Sequence, residues 1–469
     1  MKGYFLKAQA KKKKFIKRLQ KIKRYDDSDG ELSSDDEQEI SNNFVGKLIN
    51  EKYIVIKYLS RGTFSKVWLV YDLIANEYYA LKIQDDEDNE PLLNEIKMLN
   101  FIQKNSKNSN ICYLVDFFDV KIDGVNKKAL LLELLGDSIE KLLYEENDGI
   151  ISLDLIKKIS RSILNGINGL HQNNLIHCDL KLDNILFSEK TKNIKNIIDK
   201  VNKLDLHNNY NTILQNTLNN KLVNLTKSKR KTMKKKIKKR VIKEILKENI
   251  AKILEIGDCN SIDLNNVEEI NIEELKNESE NKNKYEIDIN LENINAKILD
   301  LGNTEFLNNN NTEEIYTRCY RPPENIIDGS FTTKSDIWAL GCIIYELIIG
   351  NSIFNFDDCN KVDIDKDRYH LSQMYSLLGK MNKDLSLNCE YSDDYFDLKG
   401  RILKYRNIEM RDIKDELTNR IEMTDEELEL TLDFIFKMLD YNPINRYSAE
   451  ELLNHKWLED NENLNLEIL

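Results

Sequence analysis

The sequence predicts an α+β chain with two lobes, a small β-rich one followed by a larger helical one. Three observations carry that expectation. Short β-rich runs with turn-like breaks follow Tyr53: YIVIKYLS, SKVWLVYDL and YYALKIQ. Longer segments with apolar residues at helical spacing come later: LIKKISRSILNGINGLHQN, SDIWALGCIIYELIIG and ELELTLDFIFKMLDYN. With 469 residues, 41% of them hydrophobic, the chain exceeds one ordinary domain and can build a sizeable core.

Residues 1–50 read as a tail. KKKKFIKRLQKIKR is basic, with the pattern of a short amphipathic helix, and DDSDGELSSDDEQE is acidic, poor in apolar residues and expected to be disordered. Residues 51–135 form the small lobe: the three β runs, a helix over PLLNEIKMLNFIQK, and a buried strand in KALLLELLG. Residues 136–187 and 296–460 form the larger lobe. Between its two parts, residues 188–295 are rich in Asn, Lys and Glu and include the basic run KSKRKTMKKKIKKR, Lys227 to Arg240. A connection of about a hundred residues far exceeds the usual few, so this insertion is expected to be mostly disordered. The basic run reads as a solvated charge run or as a nuclear-import or nucleic-acid patch, the first being favoured. Residues 461–469 read as a C-terminal tail.

No run of about 18 apolar residues suggests a membrane span, and MKGYFLKAQAKKKK turns basic before a signal-peptide core forms. The seven cysteines are scattered without a C-x-x-C pair, which favours free thiols in the cytoplasm or nucleus. From Asn351 to Leu469 about 15 Lys and Arg face 27 Asp and Glu, which accounts for the net charge of -12. Such acidity suits either solubility or a basic partner. A monomer is expected, with no membrane partner and no direct nucleic-acid binding.

A series of motifs follows in a telling order. LSRGTFSKVWLV, Leu59 to Val70, is a glycine-containing hairpin-like run, and Lys82 in YYALKIQ follows fifteen residues after Val67. Glu95 lies in LLNEIKML. LIHCDLKLDNILF, Leu175 to Phe187, has the form H-x-D-x-K-x-x-N, and AKILDLGN carries Asp300. TRCYRPPE, with Glu324, and SDIWALGC, with Asp336, precede NPINRYSAEELLNHKWL, with Arg446. Alone, each match is weak. Together they resemble the eukaryotic protein kinases, whose fold is bilobal.

The resemblance implies ATP and Mg²⁺ as cofactors and a division of roles. Leu59, Ser60, Arg61, Gly62, Thr63, Phe64, Ser65, Lys66 and Val67 would cover the nucleotide, with Ala80, Glu133, Leu135 and Leu186 completing its slot. Lys82 would pair with the α- and β-phosphates, held by Glu95. Asp179 would accept the substrate hydroxyl proton, Lys181 would steady the transferring phosphate, and Asn184 and Asp300 would hold the metal. Glu324 with Arg446, Asp336 under the catalytic loop, and His177 in the core would be structural.

Cys178 stands where kinases usually carry an arginine that grips an activating phosphate. Its presence implies an enzyme that does not wait for that phosphate, and Glu313 or Glu314 is expected to pair with Arg318 or Arg321 instead. D-L-G-N, TEEIYTRCYRPPE and the HCD loop resemble the SR-protein kinases, which phosphorylate serine in Arg-Ser-rich proteins. That family also carries a long spacer at the position of the insertion. The resemblance implies an acidic docking groove, with Asp367, Asp393 and Asp394 as candidates for guanidinium groups. Ser60, Leu182 and Pro322-Pro323 depart from the family pattern. The dual-specificity tyrosine-regulated kinases, which share HCD, rank second, and a weakly active scaffold for basic partners ranks third. Ser28, Ser33 and Ser34, each beside acids, fit sites for an acidophilic kinase.

Overall fold

The computed structural model describes residues 44–62, 65–84, 90–122, 124–146, 151–221, 226–257, 294–307, 315–356, 365–404 and 408–459. Thr63, Phe64, Glu313, Glu314, Ser28, Ser33, Ser34 and the C-terminal tail lie outside them.

The small lobe is a six-stranded antiparallel sheet in the order β1-β2-β3-β4-β6-β5. Its strands are β1 (Leu48–Ile49), β2 (Tyr53–Gly62), β3 (Ser65–Asp72), β4 (Glu77–Gln84), β5 (Leu114–Ile122) and β6 (Val125–Glu133). Helix α1 (Glu90–Asn105) connects β4 to β5. Tyr53, Ile54, Val55 and Ile56 are all buried, as are Ala129 to Leu132. A strand apolar on both faces must be covered on both. Leu130 and Leu132 pack with Leu92, Ile96 and Leu99 of α1, whereas Ala129 and Leu131 face a second core on the other side.

That second core corrects two sequence-based boundaries. Phe44, Val45 and Ile49, assigned to the tail, are buried in it. The insertion also contributes, because it is not mostly disordered where the structure describes it. Thr191 caps α3 (Lys192–Asn202), and α4 (Leu206–Lys221) and α5 (Lys227–Ile256) follow. Ile194, Ile197 and Val201 of α3, Tyr210 and Leu214 of α4, and Ile237, Val241, Ile245 and Ile253 of α5 close over the sheet. Their spacing of three to four residues is helical, but it is diluted by Asn and Lys, and composition masked it. Residues 258–293 lie outside the described part.

The larger lobe is built around α2 (Leu153–His171) and α7 (Thr333–Ile349), the latter preceded by the short α6 (Pro323–Ile327). Ser152 caps α2 by accepting the Leu155 N–H. Helix α7 begins with a capping box between Thr332 and Ser335 and ends at Gly350, whose φ of 84° suits glycine. Almost every residue of α7 is buried, as expected of a helix apolar around its circumference. Helices α8 (Lys366–Leu378) and α9 (Asp425–Phe436) pack into the same lobe. Among the described residues no helix is long and apolar enough to cross a membrane.

The position of α5 on the sheet yields a stability prediction. Ile253→Ala, at a fully buried site, is expected to lower unfolding free energy by about 2–5 kcal/mol in a urea titration. A disordered insertion would leave the midpoint unchanged.

Candidate active site

Two short ladders place the central loops. Strand β7 (Leu175–Ile176) pairs with β10 (Glu305–Phe306), and β8 (Ile185–Phe187) pairs with β9 (Ala296–Ile298). The chain between β7 and β8 carries Asp179, Lys181 and Asn184. The chain between β9 and β10 carries Asp300. The ladders hold these two loops side by side, and the Leu299 N–H donates to the Asn184 carbonyl at 2.9 Å.

The first loop hangs on one buried carboxylate. Asp336, at the start of α7, accepts the His177 N–H at 2.9 Å, the Cys178 N–H at 3.2 Å and the Tyr316 hydroxyl at 2.8 Å, and lies 2.9 Å from His171 Nε2. Burial alone would raise its pKa. The hydrogen bond and charge of His171, with His177 and its amide, reverse that and hold the group below the usual carboxylate range. Cys178 is buried at φ 68°, a left-handed conformation stabilised by these bonds and by its carbonyl accepting the Tyr316 N–H. Burial pushes its thiol well up, so it is an inert packing group.

Beyond Cys178 the loop turns Asp179 toward the cleft. Asp179 Oδ1 accepts the Thr317 hydroxyl at 2.9 Å and its N–H at 3.3 Å. Asn184 Nδ2 donates to the Asp179 carbonyl at 2.9 Å. Lys181 Nζ stands 4.0 Å from Asp179 and 3.7 Å from Asp183. Burial opposes the Lys181 charge, but Asp179 and Asp183 outweigh it and raise its pKa.

The small lobe supplies the opposite wall. Lys82 Nζ on β4 lies 2.8 Å from Glu95 Oε2 on α1 and 3.1 Å from Asp300 Oδ1. Burial works against the ammonium, but Asp300 and Glu95 together raise it above the usual lysine range. Burial pushes Glu95 up to about 7, with Lys82 pulling against it. The shared proton therefore stays on Lys82. Asp300 is drawn low by Lys82 despite burial. Asn94, next to Glu95, donates to the carbonyls of Gly302 and Thr304 at 2.9 Å each, tying α1 to the Asp300 loop.

Around these groups Ala80, Leu186 and Leu299 are half-buried against the α1 core, and Leu135 is buried in it. Ala80 pairs with Leu132, and Val67 with Lys82. In the β2–β3 hairpin Ser60 pairs with Val67, Arg61 with Lys66 and Gly62 with Ser65. Ser60, Arg61 and Gly62 are exposed, while Leu59, Lys66 and Val67 are partly covered. The Glu133 carboxylate is bound by Lys297 at 2.7 and 2.8 Å and by the Tyr113 N–H.

The segment after residue 314 differs from expectation. Arg318 Nη1 donates to Asp367 Oδ1 at 2.8 Å, and Tyr395 donates to Asp367 Oδ2 at 3.0 Å. Asp367 is buried and already paired, so it is not an open docking carboxylate; Asp393 and Asp394 are exposed. Arg321 Nη2 donates to the Tyr316 carbonyl at 3.1 Å. Arg318 thus has Asp367 as a partner, and the expected pairing of Glu313 or Glu314 with Arg318 or Arg321 falls outside the described residues. The roles of Thr317, Tyr316, His171, Asn94 and the Arg318–Asp367 pair escaped sequence reasoning, although Asn94, Tyr316, Thr317 and Arg318 sit in quoted motifs, because nothing local to those motifs signals their distant partners.

Glu324 and Arg446 form the pair their spacing suggested, with two parallel bonds of 2.8 and 2.7 Å, both groups buried. Removing one partner would strand a buried charge. Arg446→Leu is expected to cost about 3–5 kcal/mol of stability, read from the denaturant midpoint.

Comparison with known proteins points the same way. The protein kinase domain family matches residues 53–200 and 287–458. The chain is 25% identical to protein kinase dsk1 of Schizosaccharomyces pombe, over 88% of this chain and 81% of that one. It is 26% identical to serine/threonine-protein kinase SRPK of Physarum polycephalum, over 89% and 88% respectively. It is also 25% identical to SRSF protein kinase 3 of Mus musculus, over 91% of each.

Proposed function

Because the chain belongs to the protein kinase family and is a serine/threonine kinase of the SR-protein-kinase type, we propose that it transfers the ATP γ-phosphoryl group to serines beside arginine, without prior activation by phosphate. Family membership implies ATP and a divalent cation. The observation that carries the proposal is the convergence of Lys82, Asp179, Asn184 and Asp300 on one cleft.

The donor set fits a hard cation. The Asp300 carboxylate and the Asn184 amide offer oxygen, and among the described residues no cluster of three His, Cys, Asp or Glu side chains forms a closed metal cage. Magnesium characteristically takes one or two protein ligands and completes its shell with phosphate and water. The bound nucleotide and cation supply the phosphoryl group and absorb its charge. Lys82, kept protonated, meets the phosphates while Glu95 keeps it in position. Asp179, aimed by the loop fixed on Asp336, accepts the serine proton, and Lys181 beside it faces the transferring group.

Arginine preference is supported by carboxylates beside Lys181. Glu140 is pushed up to about 8, chiefly by its neighbour Asp183, and Asp183 lies 3.7 Å from Lys181, so two carboxylates stand together beside the phosphorylation site. An incoming guanidinium would pair with both carboxylates. Readiness without phosphate is supported by Arg318 on Asp367 and Thr317 on Asp179, which fix the segment through groups the chain already carries.

The test is Mg-ATP labelling of Arg-Ser, Lys-Ser and proline-directed peptides. Selective Arg-Ser labelling is expected, with Asp179→Asn reducing kcat about 10²–10⁴-fold and Asp183→Asn raising KM for the Arg-Ser peptide. Strong labelling of the proline-directed peptide would instead indicate dual-specificity-type substrates, and binding without labelling a scaffold. Separately, phosphatase-treated protein is expected to stay active, and Asp367→Asn to lose at least about tenfold in kcat/KM, the loss of one charge-assisted bond of 1.5–3 kcal/mol. Inert phosphatase-treated protein that an upstream kinase revives would overturn the second part.

A further inference from the structure

The exposed side of α5 has no role in the cleft. Between residues 229 and 243 it presents ten Lys and Arg side chains and no acid. The stretch is about 21 Å long at 1.5 Å per residue. Cations in the N-terminal half of a helix oppose its dipole and repel one another. Among the described residues one carboxylate, Glu51 on Lys239, lies within ion-pair reach of this run. The opposite side of the helix is anchored by Ile237, Val241, Ile242 and Ile245, so the cations stand on a fixed rod.

A complementary charge lies nearby in the chain. Residues 26–39 contain eight Asp and Glu and no Lys or Arg. Five residues later Phe44 and Val45 are buried in the core that α5 helps to form. The backbone at Gly46 runs against Ile250 and Leu254 of the same helix. From Ile250 to Lys243 is about 10 Å and to Lys229 about 32 Å along the helix. At about 3.3 Å per residue, the chain from 43 back to 26 spans all of that distance. A tether this short gives an effective concentration in the millimolar range.

We propose that the basic side of α5 is the intramolecular docking surface for the acidic segment 26–39. Occupied in this way, the surface is closed to other polyanions. The test uses the full-length protein at low ionic strength, as a mixture of ¹⁴N- and ¹⁵N-labelled chains treated with a zero-length carbodiimide. Amide links between carboxylates of residues 26–39 and lysines 229–243 are expected within single chains, and they should vanish above about 0.5 M salt. Converting all eight acids to their amides should tighten binding of labelled poly(U) at least about tenfold. Links absent, or only between chains, would overturn the proposal. So would poly(U) binding as tight in the unmodified protein as in the variant, since the surface would then be open to nucleic acid.

Discussion

The buried carboxylate of Asp336 is the constraint on which the rest of the site depends. An ionised group in the core is strongly unfavourable unless its lone pairs are met. Here backbone amides from His177 and Cys178, the Tyr316 hydroxyl and the His171 ring meet them. One group thereby fixes both the loop carrying Asp179 and the segment carrying Thr317. The left-handed backbone at Cys178 follows, because both adjacent amides must point at the same carboxylate.

The second requirement is that two lobes with separate cores contribute to one cleft. Lys82 and Glu95 come from the sheet and its helix, and Asp300 from a loop between two short ladders. Lys82 bridges the two carboxylates, while Asn94 ties the helix to the Asp300 loop through two backbone carbonyls. Rotation of α1 would break the Lys82–Glu95 pair and both amide bonds together, so cleft geometry and helix position are coupled.

The insertion changes the character of the small lobe. A sheet buried on both faces needs a second layer, and α3, α4 and α5 provide it together with residues 44–49. That layer lies on the far side of the sheet from α1. It stiffens the strands that carry Lys82 and the nucleotide-side hairpin without entering the cleft. It also displays the basic rod of α5 outward, away from the groups of the cleft.

Much of the architecture was legible beforehand because its signals are local. Alternating β runs, capped amphipathic helices and the order of the motifs depend on neighbours within a few residues. The Glu324–Arg446 pair was readable because its motif spacing is distinctive. The insertion was misread because Ile and Val at helical spacing were diluted by Asn and Lys, and because no sequence pattern announces that the other face of a sheet lacks a cover. Asp367 was taken from the family resemblance as an open docking carboxylate, and only the fold brings Arg318 and Tyr395 from distant segments onto it.

By itself, the sequence determined which groups were available for phosphoryl transfer and the order of the elements bearing them. Only the tertiary structure decided which charges met one another: Asp367 with Arg318, Asp336 with two amides, and the insertion with the sheet. Burial and hydrogen-bond geometry set those pairings, and both depend on residues far apart along the chain.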